Sequence, residues 1–174
     1  MRRHKRRLAI VGPVIPFRSG VAKHTTELAR TLANIDETEV VVYSFKRQYP
    51  RFLFPGDDDR ILDGDDSYSH GFDVQFLIDS INPFTWWRTA ARLKQDGIGL
   101  IIMPVWTFFL SPCMGTIARI CRKAGIEVVM IVHNFEDHET SWWKAWMNKF
   151  QMKHADRCIS RIKAISIQVH AFLN

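Results

Sequence analysis

Residues 98–132, with the sequence IGLIIMPVWTFFLSPCMGTIARICRKAGIEVVMIV, decide the fold. They begin with an apolar run from Ile98 to Val105 and end with another from Ile126 to Val132. Between these runs, Ser111 to Lys123 has the spacing of a helix, which Gly125 ends. Because both runs are apolar at nearly every position, we expect strands that are buried on both faces of a parallel sheet. The segment therefore predicts a strand, a helix and a second strand.

The same order of elements occurs nearer the N-terminus. Leu8 to Val14 is a short apolar run, and Val21 to Ala33 follows it with helical spacing. Val40 to Phe45 is a second apolar run of mostly β-branched residues, which favours a buried strand. The stretch from Lys46 to Ser69 is polar and contains several proline and glycine residues, so we expect a long loop there.

Further strands and helices fill the rest of the chain. Val74 to Ile78 is a strand candidate, and Pro83 stands near the first turn of a helix that continues to Gln95. A helix with an aromatic face is predicted from Trp142 to His154. Two short strand candidates and a last helical stretch follow, at Arg157 to Ile159, at Ile162 to Ile165 and up to Leu173. We therefore predict one α/β domain over residues 1–174, a Rossmann-like doubly wound parallel sheet with helices on both faces.

The composition is that of one globular domain. A hydrophobic content of 47% allows a real core, and a charged content of 24% is ordinary, so disorder is excluded as the main state. Cys113, Cys121 and Cys158 are too few and too irregularly spaced for a disulfide framework, and none forms a CxxC pair. The longest apolar run falls short of the roughly 20 residues that a membrane-spanning helix needs. We expect a reduced, cytoplasmic protein.

The net charge of +6 favours anionic partners. Much of the excess lies in a basic N-terminal tail that contains Arg2, Arg3, Lys5, Arg6 and Arg7. This tail has two interpretations, a solubilising segment or a peripheral contact with the inner face of a membrane. We do not expect nucleic-acid binding, because the sequence lacks an RNA-recognition motif and a helix-turn-helix pattern.

The loop after the first strand is the first candidate for ligand binding. In an open parallel sheet, ligands bind beyond the carboxyl ends of the strands. There Ser19, Gly20 and His24 enter a helix, whose free N–H groups and dipole favour a phosphate or a sugar hydroxyl. The alternative is that Gly20 only makes the turn. The loop does not have the GxGxxG spacing, which disfavours a nicotinamide-dependent dehydrogenase.

A second polar cluster, HNFEDHE, follows the run that ends at Val132. It contains His133, Asn134, His138 and Glu139, at a position that faces the expected crevice. Histidine and carboxylate side chains bind divalent ions, so a metal site is one interpretation. Since the spacing is not that of an HExxH helix, we favour ligand contact and expect no metal.

Aromatic residues form two further candidates. Trp106 and Thr107 follow the strand that ends at Val105, where an aromatic face can stack on a sugar ring; core packing is the equal alternative. The helix predicted from Trp142 is amphipathic and basic, with Trp142, Trp143, Trp146, Lys144, Lys149 and Lys153. Its aromatic face docks either on the core, which we favour, or on a membrane interface.

Taken in order, these segments resemble a known family. Residues 12–33, GPVIPFRSGVAKHTTELARTLA, resemble the first loop and helix of glycosyltransferase family 4, a large retaining group with the GT-B fold. Four more segments resemble, in the same order, those of a bacterial branch of that family: SFKRQYPRFLFPG, DSINPFTWWRTAARLK, the strand end at residues 106–108, and VHNFEDHE. The resemblance covers nearly the whole chain.

The resemblance implies transfer of a sugar, with retention, from a nucleotide-diphosphate donor to a saccharide or lipid-linked acceptor. It implies no metal and no other cofactor, in a cleft between two Rossmann-like domains. It gives His133 a catalytic role next to the transferred sugar, and places Gly20 near the donor phosphate or the acceptor. His24 matches the histidine at the helix start, Asn134, His138 and Glu139 match the rest of the second motif, and Ser19 replaces the first glycine of the usual pair.

The resemblance also bears on the extent of the enzyme. Residues 163–174, KAISIQVHAFLN, resemble the segment that closes the first domain, so the sequence lacks the C-terminal donor domain. We therefore expect the acceptor-side half of the enzyme, which by itself has no turnover because most donor contacts come from the other half. The alternative is a non-catalytic acceptor-binding module or an inactive remnant.

Overall fold

The computed structural model describes residues 6–50, 70–133 and 142–160. Its strands are β1 (Arg6–Val11), β2 (Thr38–Arg47), β3 (Asp73–Asp79), β4 (Leu100–Val105), β5 (Glu127–Val132) and β6 (Arg157–Ser160). Its α-helices are α1 (Gly20–Ala33), α2 (Pro83–Gln95), α3 (Ser111–Lys123) and α4 (Trp142–Met152), and a short 3-10 turn spans Phe108–Leu110. All strand pairs are parallel, and the strand order is β3-β2-β1-β4-β5-β6.

Helices cover both faces of this sheet. On one face, Ile10, Val40 and Val42 pack with Ala29 of α1. On the other face, alternate residues of the same strands pack with α2, α3 and α4 in a larger core, which includes Val11, Val41, Met103, Leu93, Ile117 and Met152. The predicted Rossmann-like doubly wound fold is therefore confirmed.

The predicted bounds of α2 and α3 are confirmed, whereas the other described elements differ by one to three residues at one or both ends. The ends of β1 and β2 are two examples. The first strand stops at Val11, before the predicted Val14, because Gly12 turns away after donating its N–H to the carbonyl oxygen of Tyr43 at 3.1 Å. The second strand continues to Arg47, because Arg47 still pairs with Asp79 of β3. The remainder of the predicted loop, residues 51–69, and the elements predicted after residue 160 lie outside the described residues.

The predicted docking of the α4 tryptophans on the core is wrong. Trp142 is 82% exposed and Trp146 is 65% exposed. The side of α4 that carries Gln151 and Met152 is buried, and a Cβ on Gly115 of α3 would lie 3.1 Å from the backbone of Gln151 and 2.7 Å from the ring of Phe150. Because Gln151 and Met152 are the buried residues of α4, the side that carries Trp142 and Trp146 faces outward.

A polar network holds the end of α2 against the first two strands. The hydroxyl group of Tyr43 donates a hydrogen bond to the carboxylate of Asp96, and Arg92 Nε donates to the same oxygen at 2.9 Å. Arg7 donates to the backbone carbonyl of Asp96. Burial raises the pKa of Asp96, but the hydrogen bonds from Tyr43 and Arg92 outweigh it, so the pKa lies below its ordinary value.

We predict that Asp96→Asn lowers the free energy of unfolding at neutral pH by about 1–3 kcal/mol, because Tyr43 and Arg92 lose a charged acceptor. A lowered carboxyl pKa stabilises the fold above the unfolded value, 3.8, and this stabilisation is lost as the pH falls through the folded value. The difference between wild type and variant, measured by urea denaturation, should therefore shrink below about pH 4. A difference that stays constant into the acid range would contradict the assignment.

Candidate functional site

The carboxyl ends of β1 and β4 form the centre of the candidate site. The strand order reverses between these two neighbours, since β2 and β3 lie on one side and β5 and β6 on the other. In doubly wound sheets, such a reversal opens a crevice outside the carboxyl ends of the strands. The loop after β1, the first turn of α1, and the residues that follow β2, β4 and β5 all lie at this edge.

The strand ends below the crevice are packed closely. A Cβ on Gly12, directly after β1, would lie 2.8 Å from Cγ of Pro104 in β4. The loop that follows contains a cis peptide bond between Ile15 and Pro16. The N–H of Ile15 donates to the hydroxyl oxygen of Thr26 at 3.1 Å, and that hydroxyl group donates to the carbonyl of Ala22 at 2.8 Å. Thr26 thus ties the loop to α1.

Ser19 serves as the N-cap of α1. Its backbone is extended, and its hydroxyl oxygen accepts a hydrogen bond from the N–H of Ala22 at 3.0 Å. This contact satisfies one of the free donors of the first turn, so the structure gives the Ser19 side chain a capping role where the sequence predicted substrate binding. Exposed cations, Arg18 and Lys23, flank the helix start and add positive charge to the end of the helix dipole.

Gly20 has no conformational need to be glycine. Its φ is not in the left-handed region, and a Cβ added to it would meet no atom within 4 Å. The alternative that Gly20 is present only to make the turn is therefore not supported by its backbone. Its open side faces solvent at the first residue of α1, where a phosphate or hydroxyl group can approach the backbone.

Two predicted site residues meet in the structure. The rings of His24, in the second turn of α1, and His133, directly after β5, lie edge to face with centroids 4.6 Å apart. The backbone N–H of His133 donates to the carbonyl of Val105 at 2.9 Å, which fixes the residue to the end of β4. Both side chains are half-buried. The contact brings α1, β4 and β5 together at one point of the crevice.

An aromatic group follows β2 and β4. Trp106 packs against the core, and its indole N–H donates to the hydroxyl oxygen of Tyr49 at 3.2 Å. The ring of Tyr49 lies 5.8 Å from that of Phe109. The hydroxyl oxygen of Thr107 accepts a hydrogen bond from the N–H of Phe109 at 3.4 Å and caps the 3-10 turn, and its predicted substrate contact stays a prediction. Tyr49 was not among the predicted site residues, although its place after β2 at the same edge could have indicated it.

The rest of the second motif, with Asn134, His138 and Glu139, lies outside the described residues. Within the described ranges, no group of three or more histidine, cysteine or carboxylate side chains is arranged to hold a metal ion. The chemistry that the described residues offer is that of hydrogen-bonding imidazoles, a positive helix end and aromatic rings.

Comparison with known proteins places the chain in no family. No model of a protein family matches the sequence, and no curated protein matches it. Among solved structures, the chain is similar to a protein of unknown function from Vibrio parahaemolyticus, with 13% sequence identity and a TM-score of 0.42 over 92% of this chain and 95% of that one. The fold assignment rests on the strand order and helix layers of the chain itself. In the described ranges, no helix is long and apolar enough to cross a membrane.

We predict different effects on the free energy of unfolding for two glycine substitutions at this site. Gly12→Ala forces its Cβ against Pro104 and should lower the free energy of unfolding by about 1–3 kcal/mol. Gly20→Ala places a Cβ in open space and should change stability by less than about 0.5 kcal/mol. Urea denaturation of both variants checks the pair. Equal effects would show that the strand ends are not packed as described.

Proposed function

We propose that this chain is the acceptor-side domain of a retaining glycosyltransferase, which moves a sugar from a nucleotide-diphosphate donor to a saccharide or lipid-linked acceptor in the cytoplasm. The observation that carries the proposal is the contact between His24 and His133 at the crevice where the strand order reverses. Both positions belong to the segments that resemble glycosyltransferase family 4. The proposal requires a second, donor-binding domain, on the same polypeptide or on a partner.

The start of α1 is suited to the charge of the donor. A nucleotide diphosphate is anionic, and the helix end offers a positive dipole with backbone N–H groups. Gly20 leaves this end uncovered, and Arg18 and Lys23 stand beside it. These groups would stabilise the charge that grows on the departing diphosphate, which is where electrostatic stabilisation most lowers a reaction barrier.

The proposal gives His133 a contact with the transferred sugar, because His133 lies directly after β5 at the crevice. During transfer, the bond between the anomeric carbon and the diphosphate oxygen breaks, and a bond to the acceptor oxygen forms on the same face. The acceptor proton leaves with the diphosphate. We assign to His133 a hydrogen bond to the sugar, and to His24 the orientation of the His133 ring through their edge-to-face contact.

The aromatic group is suited to the acceptor side. Trp106 and Tyr49 are hydrogen-bonded to each other and stand at the ends of β4 and β2. Aromatic rings bind the apolar faces of sugar rings, and a phenol or indole group adds a polar contact. We therefore assign this group to contacts with a saccharide acceptor or with the sugar of a lipid-linked one.

We predict that His133→Ala, in the chain assembled with its donor domain, lowers turnover at least about tenfold while the far-UV circular dichroism stays unchanged. The matched control is His70→Ala, since His70 precedes β3 and lies at the opposite edge of the sheet. Proton NMR of the new glycosidic bond should show the donor's anomeric configuration. Wild-type rates in the His133 variant would remove it from the mechanism, and no transfer by the wild-type assembly would favour a non-catalytic acceptor-binding module.

A second prediction concerns the helix start. Gly20→Ala should reduce kcat/KM for the donor by about tenfold, because the added methyl group blocks the approach of a phosphate to the backbone. Gly99→Ala is the matched control, because a Cβ there makes only an ordinary contact of 4.0 Å with the carbonyl of Arg7, at the opposite edge of the sheet. Unchanged kinetics in the Gly20 variant would exclude close approach of the donor to this helix end.

A further inference from the structure

Large aromatic side chains are exposed on two helices. Phe84 is 86% exposed and Trp87 is 68% exposed on α2, and Trp142 and Trp146 are exposed on α4. Single exposed apolar residues are common on soluble proteins, but groups of them on one side of a molecule indicate an interaction surface.

These side chains lie at the same edge and on the same face of the sheet. Both α2 and α4 follow parallel strands, so both begin at the carboxyl edge, and α3 packs between them. The exposed aromatic residues all belong to the first half of their helices. Phe108, just before α3, lies next to α4, and its ring meets that of Trp143 edge to face with centroids 5.2 Å apart.

Basic residues lie on the same exposed sides of α2 and α4 as these aromatic residues. On α2 the outward positions after Trp87 include Arg88 and Lys94. Lys149 on α4 and Lys153, directly after α4, are the exposed cations that follow Trp146. Neither helix contains an aspartate or a glutamate. Each helix therefore has aromatic residues at the carboxyl edge of the sheet and uncompensated cations behind them. We call Phe84, Trp87, Trp142, Trp146 and these cations the aromatic-basic surface.

We infer that the aromatic-basic surface docks on an anionic lipid bilayer. Tryptophan prefers the headgroup region, where its ring is apolar and its N–H can still donate, and lysine and arginine side chains extend to the lipid phosphates. The surface is basic and the bilayer is anionic, so their charges attract each other. A basic protein would be repelled by the same surface. This inference goes beyond the proposed function and requires no transfer activity.

Binding of the full 174-residue chain to vesicles tests the inference. The chain should sediment with vesicles that contain phosphatidylglycerol, and should bind vesicles of phosphatidylcholine alone at least about tenfold more weakly. Its tryptophan fluorescence should shift to shorter wavelength on binding, because the exposed rings leave water. Equal binding to both vesicles, or no binding to either, would overturn the inference.

Two pairs of variants separate the aromatic and the basic contributions. Trp142→Ala combined with Trp146→Ala should weaken binding by about tenfold or more, whereas Ile35→Ala, which removes an exposed apolar residue after α1, should not. Lys94→Gln combined with Lys149→Gln should weaken it by about tenfold, whereas Lys46→Gln, at an exposed position of β2, should leave it unchanged. Far-UV circular dichroism verifies the fold of every variant.

The same variants also test whether something other than a membrane binds the aromatic-basic surface. If the chain is a dimer in solution that separates when Trp142 and Trp146 are replaced, and wild type does not bind vesicles, the surface is an interface between copies and the inference is wrong. If the tryptophan and lysine variants bind vesicles as well as wild type, another part of the chain makes the contact and the inference is also wrong.

Discussion

The hydrogen-bond ladder of the central strand constrains everything else in this molecule. Ala9, Ile10 and Val11 of β1 are completely buried, so their backbone groups have to be satisfied by β2 on one side and β4 on the other. Parallel neighbours require crossover connections, which here place helices on both faces. The same requirement brings the ends of β1, β2, β4 and β5 to one edge, and with them His24, His133, Tyr49 and Trp106. The candidate site is therefore a direct result of how the sheet is hydrogen-bonded.

The bounds of helices and strands are predicted well where local sequence signals mark them. They are predicted less well where they depend on contacts with residues far away in the sequence. Asn82 caps α2 ahead of Pro83, and Gly97 and Gly125 follow α2 and α3 with φ of +67° and +81°, which only glycine adopts easily. The end of β1 instead depends on a hydrogen bond to β2. In the site, His24 and His133 were expected at the crevice, but their contact depends on strand order. The capping of Ser19 and Thr107 was missed because hydroxyl groups suit both capping and ligand binding.

The orientation of α4 shows a different limit of sequence patterns. Trp142, Trp146 and Phe150 recur at four-residue spacing along one side of the helix, so periodicity predicts that this aromatic side is buried. The structure instead buries the side that carries Gln151 and Met152. At the contact with α3, the missing side chain of Gly115 leaves room for the backbone of Gln151 and for the edge of the Phe150 ring. Ser111 then donates a hydrogen bond to Gln151 at 3.1 Å, which satisfies a polar group inside the same contact. The contact between α3 and α4, and not the pattern along α4 itself, therefore decides which side of α4 is exposed.

The close contact between Gly12 and Pro104 has a consequence for how ligands are bound. With no free space between the ends of β1 and β4, these two strands are in close contact before any molecule enters the crevice. The floor of the crevice is therefore preorganised, and binding there costs little conformational entropy. Any closing movement then has to come from the loops and helix ends around the floor. Recognition at the floor then depends on the shape of the ligand rather than on adaptation of the protein.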